Sequence, residues 1–240
     1  MEFKTLYQDE NYLVIDKPSG IEVADLAGKY FPGKILAHRL DTGTSGALVL
    51  AKSEKAREFL KKQFSAPALE IAKRGLADKQ ARVKKTYIAI VNGWPKADTG
   101  KVDKPIGRSP ADFRRRLSGR GVRGKIREAV TEWRVLKRLT LPLSPLDSPS
   151  PKNSLERGHR GEGKFALLEI RPKTGRTHQI RVHMKFANYP VACDPLYDPG
   201  GACPAGLERL ALHARAIEFK NLDGKVVKIE SPLPQEFQKY

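Results

Sequence analysis

Strand-length runs are the strongest constraint on how this chain folds. Tyr12 to Asp16 (YLVID), Gly46 to Lys52 (GALVLAK), Lys84 to Val91 (KKTYIAIV), Ala129 to Leu136 (AVTEWRVL) and Lys164 to Arg171 (KFALLEIR) are each five to eight residues long. They are rich in β-branched and aromatic side chains, and several alternate apolar with polar. A period of two buries one face only when the backbone is extended, so these runs commit the chain to sheet. Turn chemistry separates them, with Lys17-Pro18-Ser19-Gly20 after the first, Asn92-Gly93 after the third and Lys173-Thr174-Gly175 after the fifth. Leu210 to Phe219 and Val226 to Ile229 add two further strand candidates.

Helical spacing shows in two places. Ser53 can cap a helix on which Ala56, Phe59, Leu60 and Phe64 share one face, with Lys and Arg on the other. Arg176 to Asn188 (RTHQIRVHMKFAN) predicts a second, shorter helix, capped by Thr177, with Ile180, Met184 and Ala187 in one stripe. No internal repeat is visible. Short strands with few helices predict an α+β fold on a mixed, mostly antiparallel β-sheet flanked by helices. The 240 residues, 40% of them hydrophobic, read as a single domain over 1–240, with a flexible loop at 140–163 that is rich in Pro, Ser and Gly.

Charge then points to a partner. Lys plus Arg number 45 against 27 Asp plus Glu, a formal charge of +18, which suits a polyanion such as nucleic acid. The excess is clustered: Arg108 to Arg127 holds eight basic residues, Arg114, Arg115 and Arg116 among them, and one acidic residue, Asp112. Such a segment neutralises phosphates and releases counterions. The N-terminal stretch lacks the apolar core of a signal peptide, and the apolar run Ala47 to Ala51 is too short to span a bilayer. The chain therefore reads as cytoplasmic, with no membrane partner. Cys193 and Cys203 form no C-x-x-C pair and read as reduced thiols.

Metal chemistry finds little support. His178 and His183 are five residues apart, which places them on different faces of a helix or a strand, and no H-E-x-x-H or Cys cluster occurs. Phosphate-loop and dinucleotide fingerprints are also missing, since Gly43 and Gly46 precede a strand, not a helix. Gly43-Thr44-Ser45-Gly46 lacks one residue of a nucleophile elbow. What remains is Asp41 in HRLDTGTSG, flanked by His38 and Arg39 and followed by small residues that let a substrate approach. An aspartate so placed can cap its own turn, act as a covalent nucleophile or act as a general base. Tyr87 offers a flat ring and a hydroxyl, or simply fills a half-buried strand position, and Arg181 is either a cation that would hold a carboxylate ionised or a plain surface charge.

Three stretches, HRLDTGTSG at His38, KKTYIAIVNG at Lys84 and KTGRTHQIRVHM at Lys173, resemble the signature segments of the RluA-type pseudouridine synthases, in the same order. The likeness extends to Lys17-Pro18-Ser19-Gly20, KPIGRSP at Lys104, AVTEWRVL at Ala129 and RLALHARAIEF at Arg209, and so covers nearly the whole chain. It implies the pseudouridine synthase fold with a central basic cleft, and an isomerase that converts uridines of ribosomal or transfer RNA to pseudouridine without cofactor or metal, as a monomer. Residue by residue, it implies Asp41 as the catalytic aspartate, Tyr87 as the ring that stacks on the target base and Arg181 as the basic partner of the aspartate. Arg39 matches an arginine that enters the RNA stack. His38, Arg114, Arg115, Arg116 and Arg176 complete the expected RNA-contacting set.

The chain departs from the family pattern in three places. There is no room before Leu6 for the small N-terminal module that many relatives carry, Ser65 to Val83 is longer than the usual link, and Cys193 stands where relatives commonly have glycine.

Overall fold

The computed structural model describes residues 2–65, 82–119, 121–144 and 161–240. In chain order its strands are β1 (Thr5–Gln8), β2 (Tyr12–Lys17), β3 (Ile35–Leu36), β4 (Ser45–Ala51), β5 (Lys84–Asn92), β6 (Thr99–Asp103) and β7 (Ile106–Arg108). They continue with β8 (Arg116–Ser118), β9 (Arg123–Arg127), β10 (Val130–Pro142), β11 (Glu162–Pro172), β12 (Leu212–Lys220) and β13 (Val226–Glu230). The principal helices are α1 (Glu54–Ser65) and α2 (Gln179–Phe186). The chain divides into two compact units, one comprising the residues up to Tyr87 with His213–Pro232, the other Ile88–Leu212 with Leu233–Tyr240. β5 carries the chain from the first to the second.

β4 is the spine of the first unit. All seven of its residues are buried, because SGALVLA is small or apolar on both faces. It pairs antiparallel with β2, from Tyr12↔Ala51 to Lys17↔Gly46, and parallel with β12 at His213↔Ser45 and Ala214↔Gly46. Gly46 has φ +111°, and a Cβ there would collide with the Ala214 carbonyl, so only glycine lets the two strands approach this closely. Helix α1 follows as expected. Ser53 Oγ accepts the Ala56 N–H at 3.2 Å, and Ala56 and Leu60 enter a core with Tyr12, Val14, Val49 and Phe219.

In the second unit β10 pairs antiparallel with β11 on one side and β6 on the other. A separate ribbon is centred on β7, with β8 and β9 antiparallel on either side. The sequence showed this ribbon only as a basic segment, because strands of three to five residues with Gly and Arg in place of apolar alternation carry no period-two signal. The loop expected at 140–163 is a correction in its ends: Thr140 to Pro142 complete β10 and Glu162 and Gly163 begin β11, while 145–160 lie outside the described residues. Most of the long Ser65 to Val83 link lies outside them too.

Helix α2 starts later than the sequence suggested. Its N-terminal boundary is His178, in the left-handed region at φ 56°, with no side-chain cap, so Thr177 does not cap it. Gln179 satisfies the neighbouring groups, its Oε1 accepting from Arg176 N–H at 3.0 Å and Thr174 Oγ1 at 2.7 Å. Its amide donates to Val130 O at 2.9 Å and Thr131 Oγ1 at 3.0 Å. No helix of the described residues is long and apolar enough to cross a membrane.

Gly46→Ala should lower the unfolding free energy by about 3 kcal/mol, combining left-handed backbone strain with displacement of β12. A urea titration checks this, and an unshifted midpoint would show that the β4–β12 approach is slack.

Candidate active site

Asp41 stands at the head of a loop whose following residues are each pinned. Its own carbonyl accepts the Thr44 N–H at 2.9 Å, closing a tight turn. The Thr42 carbonyl accepts from Gly20 N–H at 2.8 Å and from Lys17 Nζ at 3.1 Å. Ser19 Oγ donates to the Gly43 carbonyl at 2.8 Å. Lys17 is fully buried and also donates to the Pro18 and Ile21 carbonyls, both at 2.8 Å, so one ammonium ties the Pro-Ser-Gly turn to the Asp41 loop. Buried charge demands this, since an ammonium loses its hydration on burial and must regain hydrogen bonds.

The far end of the loop is held by a chain of side chains. Ser231 Oγ donates to Asp16 Oδ1 at 2.8 Å and therefore accepts from His213 Nε2 at 3.2 Å. His213 Nδ1 is then the acceptor of the Ser45 hydroxyl at 2.9 Å. Ser45 and His213 are buried at 5% and 0% exposure, and Ser45 is the first residue of β4. This places a serine beside a histidine without making a nucleophile of it: the hydroxyl is inside the sheet and the carboxylate is one serine removed from the ring. In the sequence Ser45 stood out only within the incomplete nucleophile elbow, and His213 only as part of RLALHARAIEF in the family likeness.

His38 turns inward. Its Nε2 accepts the Val49 N–H at 2.9 Å and its ring stacks on Phe64 at 4.7 Å between centroids. Burial first, and the charge of Lys85 second, push its pKa down to about 3. The imidazole is therefore a neutral spacer that shapes the start of the loop. Arg39, next to it, is exposed. Tyr87 is half-buried and packs against the core cluster that contains Leu13, Ile15, Leu40 and Leu48. Burial raises its pKa, and the nearby charge of Asp41 raises it further, so the phenol stays protonated and lies within electrostatic reach of that carboxylate. The first unit thus brings Asp41 and Tyr87 together.

Arg181 lies on α2 in the second unit. It is 7% exposed and forms a bidentate pair with Asp194, Nε to Oδ2 and Nη2 to Oδ1, both at 2.7 Å. Asp194 Oδ1 also accepts the Leu196 and Tyr197 N–H groups at 2.9 Å each. Sequence reasoning missed Asp194 as a partner of Arg181, because the pair joins a helix to a turn that carries no periodic signal. The Arg181 guanidinium sits 4.9 Å from the Tyr197 ring centroid and that of Arg115 5.7 Å from it. Tyr197 Oη accepts the Arg116 N–H at 2.8 Å and lies 2.9 Å from His178 Nδ1.

The arginine triplet divides accordingly. Arg114 is exposed and paired with Asp112, Arg115 turns toward Tyr197, and Arg116 donates to the Phe113 carbonyl. Arg123, Lys125 and Arg127 are exposed as well, on a strand exposed along its whole length. Arg176 donates to the Glu128 carbonyl at 2.9 Å, and its proton affinity is lowered by burial and then by the neighbouring charge of Arg127. Two guanidinium groups in mutual reach make a natural anion seat.

The cysteines correct the sequence reading. Cys193 and Cys203 lie 5.0 Å apart between Cα atoms and are joined as a disulfide, because the chain between them folds back through Tyr197 and Asp198. Cys193 has φ 55°, the left-handed conformation that favours glycine.

Comparison with known proteins agrees with this architecture. Residues 11–186 match the family model described as RNA pseudouridylate synthase. An uncharacterized RNA pseudouridine synthase of Synechocystis sp. is 32% identical over 257 residues, covering 98% of this chain and 66% of its own length. Ribosomal large subunit pseudouridine synthase D of Xanthomonas campestris is 33% identical over 263 residues, covering 98% and 67%. An uncharacterized RNA pseudouridine synthase of Zymomonas mobilis is 31% identical over 251 residues, covering 98% and 95%. The chain thus spans about two thirds of the first two relatives and nearly all of the third. Among solved structures, human RNA pseudouridylate synthase domain containing 1 shares the fold with a TM-score of 0.71 at 22% identity, covering 97% of this chain and 84% of that one. Human RNA pseudouridylate synthase domain containing 4 gives 0.64 at 26% identity, covering 98% and 90%.

His38 gives the site a pH signature. Its folded pKa, about 3, lies below its ordinary 6.5, so the stability it lends is present above pH 6.5 and is lost as pH falls toward 3. Between pH 7 and 4.5 this should remove on the order of 2 kcal/mol. His38→Gln keeps an acceptor for Val49 without titrating and should show a correspondingly shallower acid loss in urea titrations at the two pH values; identical losses would refute the assignment.

Proposed function

Because the chain belongs to the RNA pseudouridylate synthase family, we propose that it isomerises selected uridines of a structured ribosomal or transfer RNA to pseudouridine, with Asp41 as the catalytic group. The observation that carries this reading is the juxtaposition of Asp41, on a loop pinned from Thr42 to Ser45, with the protonated Tyr87 ring. The reaction breaks the bond from C1′ to N1, turns the uracil and joins C5 to C1′. A proton leaves C5 and one is added at N1, so the balance needs no oxidant, reductant or second substrate.

In this scheme Asp41 is the anion that engages the nucleotide during the exchange, and the fixed loop gives it one orientation before substrate arrives. Tyr87 supplies a stacking surface for the uracil and a neutral hydroxyl. The family resemblance gives Arg181 the role of basic partner to the catalytic aspartate, and Asp194 and Tyr197 set its geometry within the second unit. A uridine inside a stem or loop must leave its stack to be reached, at a few kcal/mol, which Arg39 would offset by entering the vacated place. Arg114, Arg176 and the exposed face of β9 supply phosphate contacts, while Arg115 and Arg116 hold the ribbon's shape. Such a role fits a cytoplasmic protein.

Wild type and Asp41→Asn, incubated with unmodified ribosomal and transfer RNA transcripts and mapped for pseudouridine by nucleotide, test the assignment. The wild type should modify discrete uridines, and Asp41→Asn should bind the same RNA while its rate falls at least about a hundredfold. Normal turnover in that variant would remove Asp41 from the mechanism. Separately, replacing Arg123, Lys125 and Arg127 with Ala should flatten the slope of log affinity against log salt by about 2 for single-stranded RNA. An unchanged slope would show that β9 is only a solvated face.

A further inference from the structure

The β7–β8 hairpin, rich in cations, holds an apolar group at its end. Phe113 is 86% exposed and belongs to none of the hydrophobic clusters among the described residues. The segment that carries it is closed by its own hydrogen bonds. Ser109 Oγ accepts the Ala111 and Asp112 N–H groups at 3.3 Å each, Asp112 Oδ1 accepts the Arg114 N–H at 2.9 Å, and Arg115 N–H reaches the Asp112 carbonyl at 3.0 Å. Ser109 N–H closes the hairpin on the Arg115 carbonyl at 3.2 Å, and the Arg116 guanidinium donates to the Phe113 carbonyl at 3.2 Å. The ring is therefore presented by a fixed turn.

The same hairpin carries cations. Arg108 is in register with Arg116 on one side and Arg123 on the other, and Arg114, the next residue after Phe113, is 66% exposed and paired with Asp112. An exposed apolar ring on a cationic hairpin fits one kind of ligand well: an unstacked base, which covers the ring, with its flanking phosphates, which meet the cations. An apolar protein surface would cover the ring and leave the cations unmatched.

We infer that Phe113 is a stacking platform for an unpaired base of the RNA substrate, and that the hairpin end reads unpaired structure in the bound RNA. This rests on the proposed RNA substrate and extends it, since it specifies that part of the bound RNA is single-stranded. The platform contributes affinity without neutralising phosphate, so its signature differs from that of the cations on the same hairpin.

The test uses the full chain with an unstructured uridine-rich RNA oligomer and a duplex of the same length. Phe113→Ala should weaken binding of the oligomer roughly tenfold while the salt slope stays as in wild type. Phe113→Trp should bind at least as tightly as wild type, and its added emission, measured over the background of Trp94 and Trp133, should be quenched by the oligomer and not by the duplex. Unchanged affinity of Phe113→Ala, or emission of Phe113→Trp that the oligomer does not alter, would overturn the inference. The proposed activity is decided separately by pseudouridine formation in the wild type: quenching without modification would sink the activity and keep the platform, and modification without quenching would do the reverse.

Discussion

The Lys17 ammonium, buried beneath a loop and gripped by carbonyls from two segments, is the interaction on which the first unit's site depends. Its donors reach Pro18, Ile21 and Thr42, so the Pro-Ser-Gly turn and the Asp41 loop are two halves of one coordination shell. A buried cation is costly unless its hydrogen bonds are met, and here the backbone meets them. The loop cannot relax without stranding the charge. The Asp41 loop is thereby held in one arrangement before any ligand arrives. The Ser45–His213–Ser231–Asp16 chain does the same at the loop's other end, through two hydroxyls and an imidazole that lead to the Asp16 carboxylate.

The second unit handles its buried charge differently. Arg181 is neutralised directly by Asp194, and Tyr197 caps the pair with its ring while its hydroxyl registers the ribbon backbone at Arg116. Asp194 is saturated by two guanidinium and two backbone donors, so the arginine is fixed in direction as well as in charge. Removing either partner of such a buried pair leaves an uncompensated ion, at about 3–5 kcal/mol. Structural integrity of the second unit and the orientation of Arg181 are therefore carried by the same residues.

Much of this was legible in the sequence, for identifiable reasons. GALVLAK announced a strand buried on both faces, and Ser53 announced the helix that follows, because apolar continuity and capping are local properties. Asp41 and Tyr87 stood out through motif and chemistry, and their proximity was consistent with the family likeness. The ribbon of β7, β8 and β9 was invisible as structure, since Arg and Gly in short strands mimic a charged loop. The cap of α2 was misread because the helix begins at Gln179, after His178 in the left-handed region, with no side-chain cap. Asp194, His213 and Ser231 went unnoticed as supports: each acts through a partner distant along the chain or across a turn, and no spacing rule reports such pairings.

The parallel seam between β4 and β12 has a consequence for how the protein comes into being. Ser45 meets His213 across 168 positions, and Asp16 meets Ser231 across 215. Contacts of such separation form late, because loop-closure entropy must be met before they reward the chain. On a ribosome, β2, β4 and the Asp41 loop would be synthesised long before the segment that fastens them. The nascent chain would carry the Asp41 loop without its mount, and the loop takes its fixed form only when β12 is seated beside Gly46.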